Sequence, residues 1–195
     1  MSQKISVVSI SLALLSLMLF SCAKRDESYL SVFERPFAAN VTVINADGKY
    51  CASVSMAELK HPSEDTEEQT DSQGSQTEWR SYLRDGNVSY TYPETITGIS
   101  AVRVDGDVCV NVCGIDVRPS ENIASKYTYL LDLLDVRSDN IKESVDGEHE
   151  GKAVVILKLD SEDEETVVYI DRESKLPIML KNSTVTLYFD SFSYL

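Results

Sequence analysis

The chain has little of what most enzymes need. It holds two histidines, one tryptophan, eight glycines and five prolines in 195 residues. Both histidines, His61 and His149, sit in polar segments. No Ser, His and Asp set is signalled for nucleophilic catalysis, and no ligand spacing is signalled for a metal. The glycines never gather into a phosphate-cradling loop. Basic charge is also scarce: 18 Lys and Arg stand against 32 Asp and Glu, a net charge of −14. So acidic a chain repels nucleic acid and anionic lipid headgroups, which points away from a polyanion partner. An enzyme is not expected, and neither is a cofactor.

The one long apolar stretch lies at the N-terminus. After Lys4 an apolar stretch extends from Ile5 to Phe20, broken only by serines. It is short of the roughly 20 apolar residues that span a bilayer, and has the size of a signal-peptide core. It ends in Leu19-Phe20-Ser21-Cys22, which resembles the lipobox of bacterial lipoproteins, with Phe20 replacing the usual small residue. The resemblance implies cleavage after residue 21 and a covalent diacylglyceryl group on Cys22, because the thiol takes the lipid. Two acyl chains suffice for stable anchoring. Charged residues follow at once (Lys24, Arg25, Asp26, Glu27), as a tether leaving a membrane requires. The expected organisation is a signal at 1–21, a tether at 22–35 and one domain at 36–195, on the extracytoplasmic face of a cell membrane.

Within the domain, period-two alternation dominates. Residues 37–44 and 50–56 flank Ala46-Asp47-Gly48 and read as a hairpin. Strand patterns at 79–83 and 88–92 flank Arg84-Asp85-Gly86, and those at 99–104 and 108–117 flank Asp105-Gly106-Asp107. Asp-Gly is a strong hairpin signal because a type I′ turn needs positive φ at both central residues. Between the first hairpin and the next lies an acidic stretch, 61–78, with six acids, no Lys or Arg and no aliphatic residue; it reads as a loop. Later strand patterns cover 152–159, 166–171 and 184–194, with a short one at 176–180 limited by Pro177.

One helix interrupts the strands. Ile123, Tyr127, Leu130, Leu131 and Leu134 recur at three- and four-residue steps, and Pro119-Ser120 supplies a start. The fold class is therefore mainly β: a curved antiparallel sheet, or incomplete barrel, around one main helix. The same five residues are the candidate lining of a cavity between helix and sheet, although the spacing describes a filled core equally well. Cys109 and Cys113, read on one strand, would stand roughly 13 Å apart, too far to bridge. Pairing of either with Cys51 and free thiols both remain open.

Several segments carry a family likeness: Pro36-Phe37-Ala38-Ala39, the linker Tyr90-Thr91-Tyr92-Pro93-Glu94-Thr95-Ile96-Thr97-Gly98-Ile99, Leu130-Leu131-Asp132-Leu133-Leu134, Asp171-Arg172-Glu173-Ser174-Lys175-Leu176-Pro177-Ile178, and Phe189-Asp190-Ser191-Phe192. Over most of residues 30–195 the chain resembles small lipoproteins of Clostridia-type bacteria with a LolA/LolB-like fold. The resemblance implies an apolar concavity and a non-catalytic role, holding a lipid or acyl chain at the cell envelope. LolB-type receptors also carry a protruding apolar loop, which the acidic 61–78 stretch does not supply. Some lipoproteins of similar fold instead engage an envelope protein, so an accessory role with such a partner is the alternative.

Overall fold

The computed structural model describes residue 29 and residues 31–58, 83–160 and 165–195. Signal, anchor cysteine and the 61–78 stretch lie outside these, as do residues 79–82 of the strand expected at 79–83. No helix among the described residues is long and apolar enough to cross a membrane.

A short helix α1 (Ser31–Glu34) precedes six strands: β1 (Phe37–Asn45), β2 (Gly48–Met56), β3 (Gly86–Tyr92), β4 (Ile99–Val104), β5 (Asp107–Val112) and β6 (Ile115–Val117). The main helix α2 (Glu121–Leu133) follows, and then β7 (Ile141–His149), β8 (Lys152–Leu159), β9 (Thr166–Asp171), β10 (Pro177–Lys181) and β11 (Val185–Tyr194). All eleven strands join one antiparallel sheet in the order β6-β5-β4-β3-β2-β1-β11-β10-β9-β8-β7. The first six meander outward from β1. The chain then crosses through α2 to the opposite edge and meanders back until β11 pairs with β1, Phe37 opposite Tyr194 and Asn45 opposite Val185. The edges β6 and β7 do not pair, so the sheet is open rather than a closed barrel.

Turn chemistry explains the hairpins. Val104 pairs with Asp107 across Asp105 (φ 49°) and Gly106 (φ 79°), the two positive values that an Asp-Gly turn supplies cheaply. The run read as one strand at 108–117 is two: Cys113 (φ 52°) and Gly114 (φ 90°) turn the chain so that Val112 pairs with Ile115. The turn expected at Arg84-Asp85-Gly86 is absent. Gly86 instead opens β3, opposite both Met56 and Arg103, and a Cβ there would come 2.9 Å from the Ser55 carbonyl oxygen. Strand β7 was not foreseen, because its alternation is polar (Lys142, Glu143, Asp146, Glu148) and the strand serves as an edge.

The core fills the face of the sheet that carries Phe37, Val41, Val43, Val54, Val88, Val168 and Leu187. Leu130, Leu131 and Leu134 are wholly buried there. Each such side chain contributes about 1.5–3 kcal/mol by leaving water. Helix α1 belongs to this core. Phe33 lies 6.0 Å from Phe37, 6.1 Å from Phe189 and 6.3 Å from Phe192, and Tyr29 and Val32 are also buried. The packed domain thus reaches back to Tyr29, inside the segment assigned to the tether, because one apolar helical turn finds an aromatic pocket.

Buried Arg84 fixes that turn. Its Nε–H donates to the Ala57 carbonyl, Nη1 to Phe33 and Nη2 to Arg35 at 2.7 Å, so it caps the open end of α1 and ties it to the end of β2. Its guanidinium carbon lies 5.4 Å from the Phe37 ring centroid. Burial lowers its pKa below the ordinary arginine value. All three described cysteines are free. Cys51 and Cys109 stand on β2 and β5, about 14 Å apart at three strand spacings, which rules out their bridge.

Candidate functional site

Helix α2 lies across β2 to β5. Ser120 takes the N-cap position, its carbonyl accepting from Ile123 and Ala124 N–H. The apolar stripe does not behave as one surface. Leu130, Leu131 and Leu134 are fully buried in core, Tyr127 is half-buried, and Ile123 is 49% exposed. None of the five lines either of the openings described below or on the sheet's outer face. Ile123 departs from the expected position inside the sheet: it lies in the first turn of α2 and half of its surface stays exposed.

The larger opening lies on the other flank of the helix. A groove of about 600 Å³ runs between α2 and the β4–β5 hairpin. Leu83, Val108, Pro119 and Ala124 give it apolar walls, and Ser125 and Thr128 complete the helix side. The volume lies within the range of small-molecule pockets, about 300–1,000 Å³. Small residues at 124, 125 and 128 keep the helix from filling it. Thr128 spends its hydroxyl on the Ala124 carbonyl at 3.3 Å, leaving its methyl-bearing side for the wall.

At one end stands an ion pair. Arg103, 1% exposed, projects from β4 among apolar neighbours, donating through Nε to the Arg84 carbonyl at 2.7 Å and through Nη1 to Asp132. Asp132 lies on the groove side of α2, and its side chain is 45% exposed. Partial burial raises its pKa above the ordinary carboxylate value, against the opposing pull of Arg103. Nη2 of Arg103 is buried and has no hydrogen-bond partner among the described residues.

A second feature borders the helix on its far side. Tyr50 and Tyr90 lie with ring centroids 5.9 Å apart, and the Tyr90 hydroxyl donates to the Tyr127 carbonyl at 3.2 Å. Burial pushes the Tyr90 phenol up to about 12 and the Tyr50 phenol higher still. Both stay neutral at physiological pH, so they offer hydroxyls rather than charge. No group of His, Cys, Asp and Glu that could hold a metal occurs among the described residues.

Sequence reading missed the groove. Its helix side consists of small and polar residues that a search for apolar stripes passes over. The available signal was Arg103, a lone cation at an inward-facing strand position between apolar residues.

No family model and no curated protein matches the chain. Solved structures do resemble it. An uncharacterized conserved protein from Thermus thermophilus aligns with TM-score 0.49 at 10% identity, covering 87% of this chain and 84% of that one. A putative outer membrane lipoprotein-sorting protein domain from Vibrio parahaemolyticus gives 0.43 at 11%, covering 88% and 90%. A LolA superfamily protein from Nitrosomonas europaea gives 0.38 at 9%, covering 87% and 93%. An open, curved antiparallel sheet holding one main helix on its inner face is the arrangement that the sequence resemblance implied.

Proposed function

We propose that the chain is an envelope lipoprotein, anchored through diacylglyceryl on Cys22, whose LolA-like domain is a non-catalytic binding module for a hydrophobic ligand. The observation that carries the binding role is the apolar-walled groove between α2 and the β4–β5 hairpin. Apolar area removed from water there is worth about 25 cal/mol per Å². The anchor rests on the lipobox-like Leu19-Phe20-Ser21-Cys22. The acidic surface supports tethering over electrostatic attraction as the means of reaching a membrane.

The test has two arms. Cys22→Ala leaves an unprocessed precursor or releases the domain from the membrane fraction; a mature protein with an unmodified N-terminus elsewhere refutes the anchor. For the groove, the full chain in detergent is labelled with a photoreactive acyl-chain probe. Crosslinks map to α2 and the β4–β5 hairpin, and Ser125→Trp, which fills the groove from an exposed helix position, abolishes them. Crosslinks elsewhere, or unaffected by Ser125→Trp, refute the reading.

A second reading, an accessory protein for an envelope partner, is favoured by one feature. Val112 (37% exposed), Ile115 (68%) and Val117 (44%) leave apolar side chains exposed on the paired strands β5 and β6 at the sheet's edge, and Ile123 (49%) is exposed on α2. A photoreactive residue at Ile115 that captures one envelope protein in the native membrane, with Ile115→Lys abolishing the function of both proteins, supports that reading over ligand binding.

A further inference from the structure

Resting on the groove as a hydrophobic-ligand site, we propose that its ligand is an uncharged acyl ester of the acylglycerol class, selected by Arg103 through a hydrogen bond to the ester carbonyl. Arg103 presents three kinds of N–H. Nε is committed to the Arg84 carbonyl and Nη1 to Asp132, while Nη2 is buried without an acceptor among the described residues. Buried guanidinium N–H groups are rarely left so, because the lost hydration is not replaced. Arg103 itself lines the groove, so the missing acceptor is one that a bound molecule can bring after a small shift of the wall.

The charge around it decides what kind of acceptor fits. Asp132 already neutralises Arg103, so the pair has no net charge to offer a second anion. The remaining charged residues of the lining are Arg118 against Asp105, Asp107 and Glu121. A free carboxylate or phosphate entering beside Asp132 would meet like charge on balance. An ester carbonyl brings lone pairs and no charge. Its acyl tail then lies against Leu83, Val108 and Ala124, and glycerol hydroxyls can donate to the carboxylates of the hairpin turn, Asp105 and Asp107. A hydrogen bond to a charged donor is worth about tenfold or more in affinity.

The experiment uses the full chain in detergent with three diazirine probes of one chain length: 1-dodecanoylglycerol, dodecanoic acid and dodecanol. Labelled peptides of α2 and β4–β5 are quantified by mass spectrometry. The glyceride labels the groove about tenfold more than either the acid or the alcohol. Asp132→Asn, which keeps an acceptor for Nη1 but unmasks the positive charge, raises labelling by the acid above that by the ester. Arg103→Lys removes the ester's advantage over the alcohol. Because Arg103 also ties β4 to Arg84, the three-probe comparison in the unaltered chain and in Asp132→Asn carries the test if the lysine variant fails to fold. Equal labelling by ester and alcohol, or best labelling by the acid, overturns the ester assignment while leaving a hydrophobic groove in place. No groove labelling by any probe overturns both this inference and the reading on which it rests.

Discussion

Truncating Leu131 to alanine locates the boundary between solid core and groove. The leucine is wholly buried, and its Cδ2 lies so near Gly86 that a Cβ on that glycine would approach it to 3.1 Å. The backbone of β3 is already paired on both sides and cannot collapse into a vacated space. The loss therefore combines transfer and cavity terms, about 3 kcal/mol within the usual 2–5 for such truncations. For a domain of this size that corresponds to roughly 6–12 °C in Tm, at 2–4 °C per kcal/mol. Urea denaturation followed by circular dichroism reads the change, with an unchanged m-value confirming that the denatured state is not what moved. Leu131→Phe should cost roughly 1–3 kcal/mol by overpacking, whereas Ser125→Trp on the groove flank should leave stability within about 0.5 kcal/mol. If Leu131→Phe is neutral and weakens acyl-probe labelling, the space beneath the helix is an open cavity and the argument that separates groove from core is wrong.

Arg84→Met strands the carbonyls of Phe33, Arg35 and Ala57 and should cost about 3 kcal/mol by urea titration; limited proteolysis should then cut first around α1, and a variant as stable as the parent would sink the capping role. Raised phenol pKa values of Tyr90 and Tyr50 make the neutral forms the stabilising ones, so their contribution is complete below the unfolded value near 10 and fades as pH rises through the folded values. Stability should accordingly fall above about pH 10, and Tyr90→Phe should shallow that slope; an unchanged slope refutes the burial argument.

What the sequence showed depended on whether a local rule governed each residue. Asp105-Gly106 was legible as a turn because positive φ is written in the residue types. Cys113-Gly114 makes the same geometry, but a cysteine at positive φ is no turn signal, and the strand was read through it. Arg84-Asp85-Gly86 carried the turn signature, yet the arginine is spent on backbone carbonyls of α1 and β2's end and the glycine is needed for close approach to β2. Tertiary demand overrode the local pattern there. The helix was plain from its period, and its three leucines went to the core. Which of its remaining flanks faces a groove depends on where α2 lies over β4 and β5, and no periodicity encodes that. Arg103 stood out only as a lone cation; its direction was hidden, because its neighbours Val102 and Val104 are apolar but exposed, while Ala101 and Arg103 point inward.

The seam between β1 and β11 has a kinetic meaning. Each half of the sheet is a meander of near neighbours, but strand pairing joins the halves along one seam, from residue 37 opposite residue 194 to residue 45 opposite residue 185. Loop-closure entropy must be spent on that seam before its contacts repay it, which places the fold among the slow ones. Until β11 has been made, β1 offers an unpaired central strand, and the aromatic pocket for Phe33 lacks Phe189 and Phe192. Strand β11 follows every other strand in chain order, so each half can form its own hairpins before the seam locks them into one sheet.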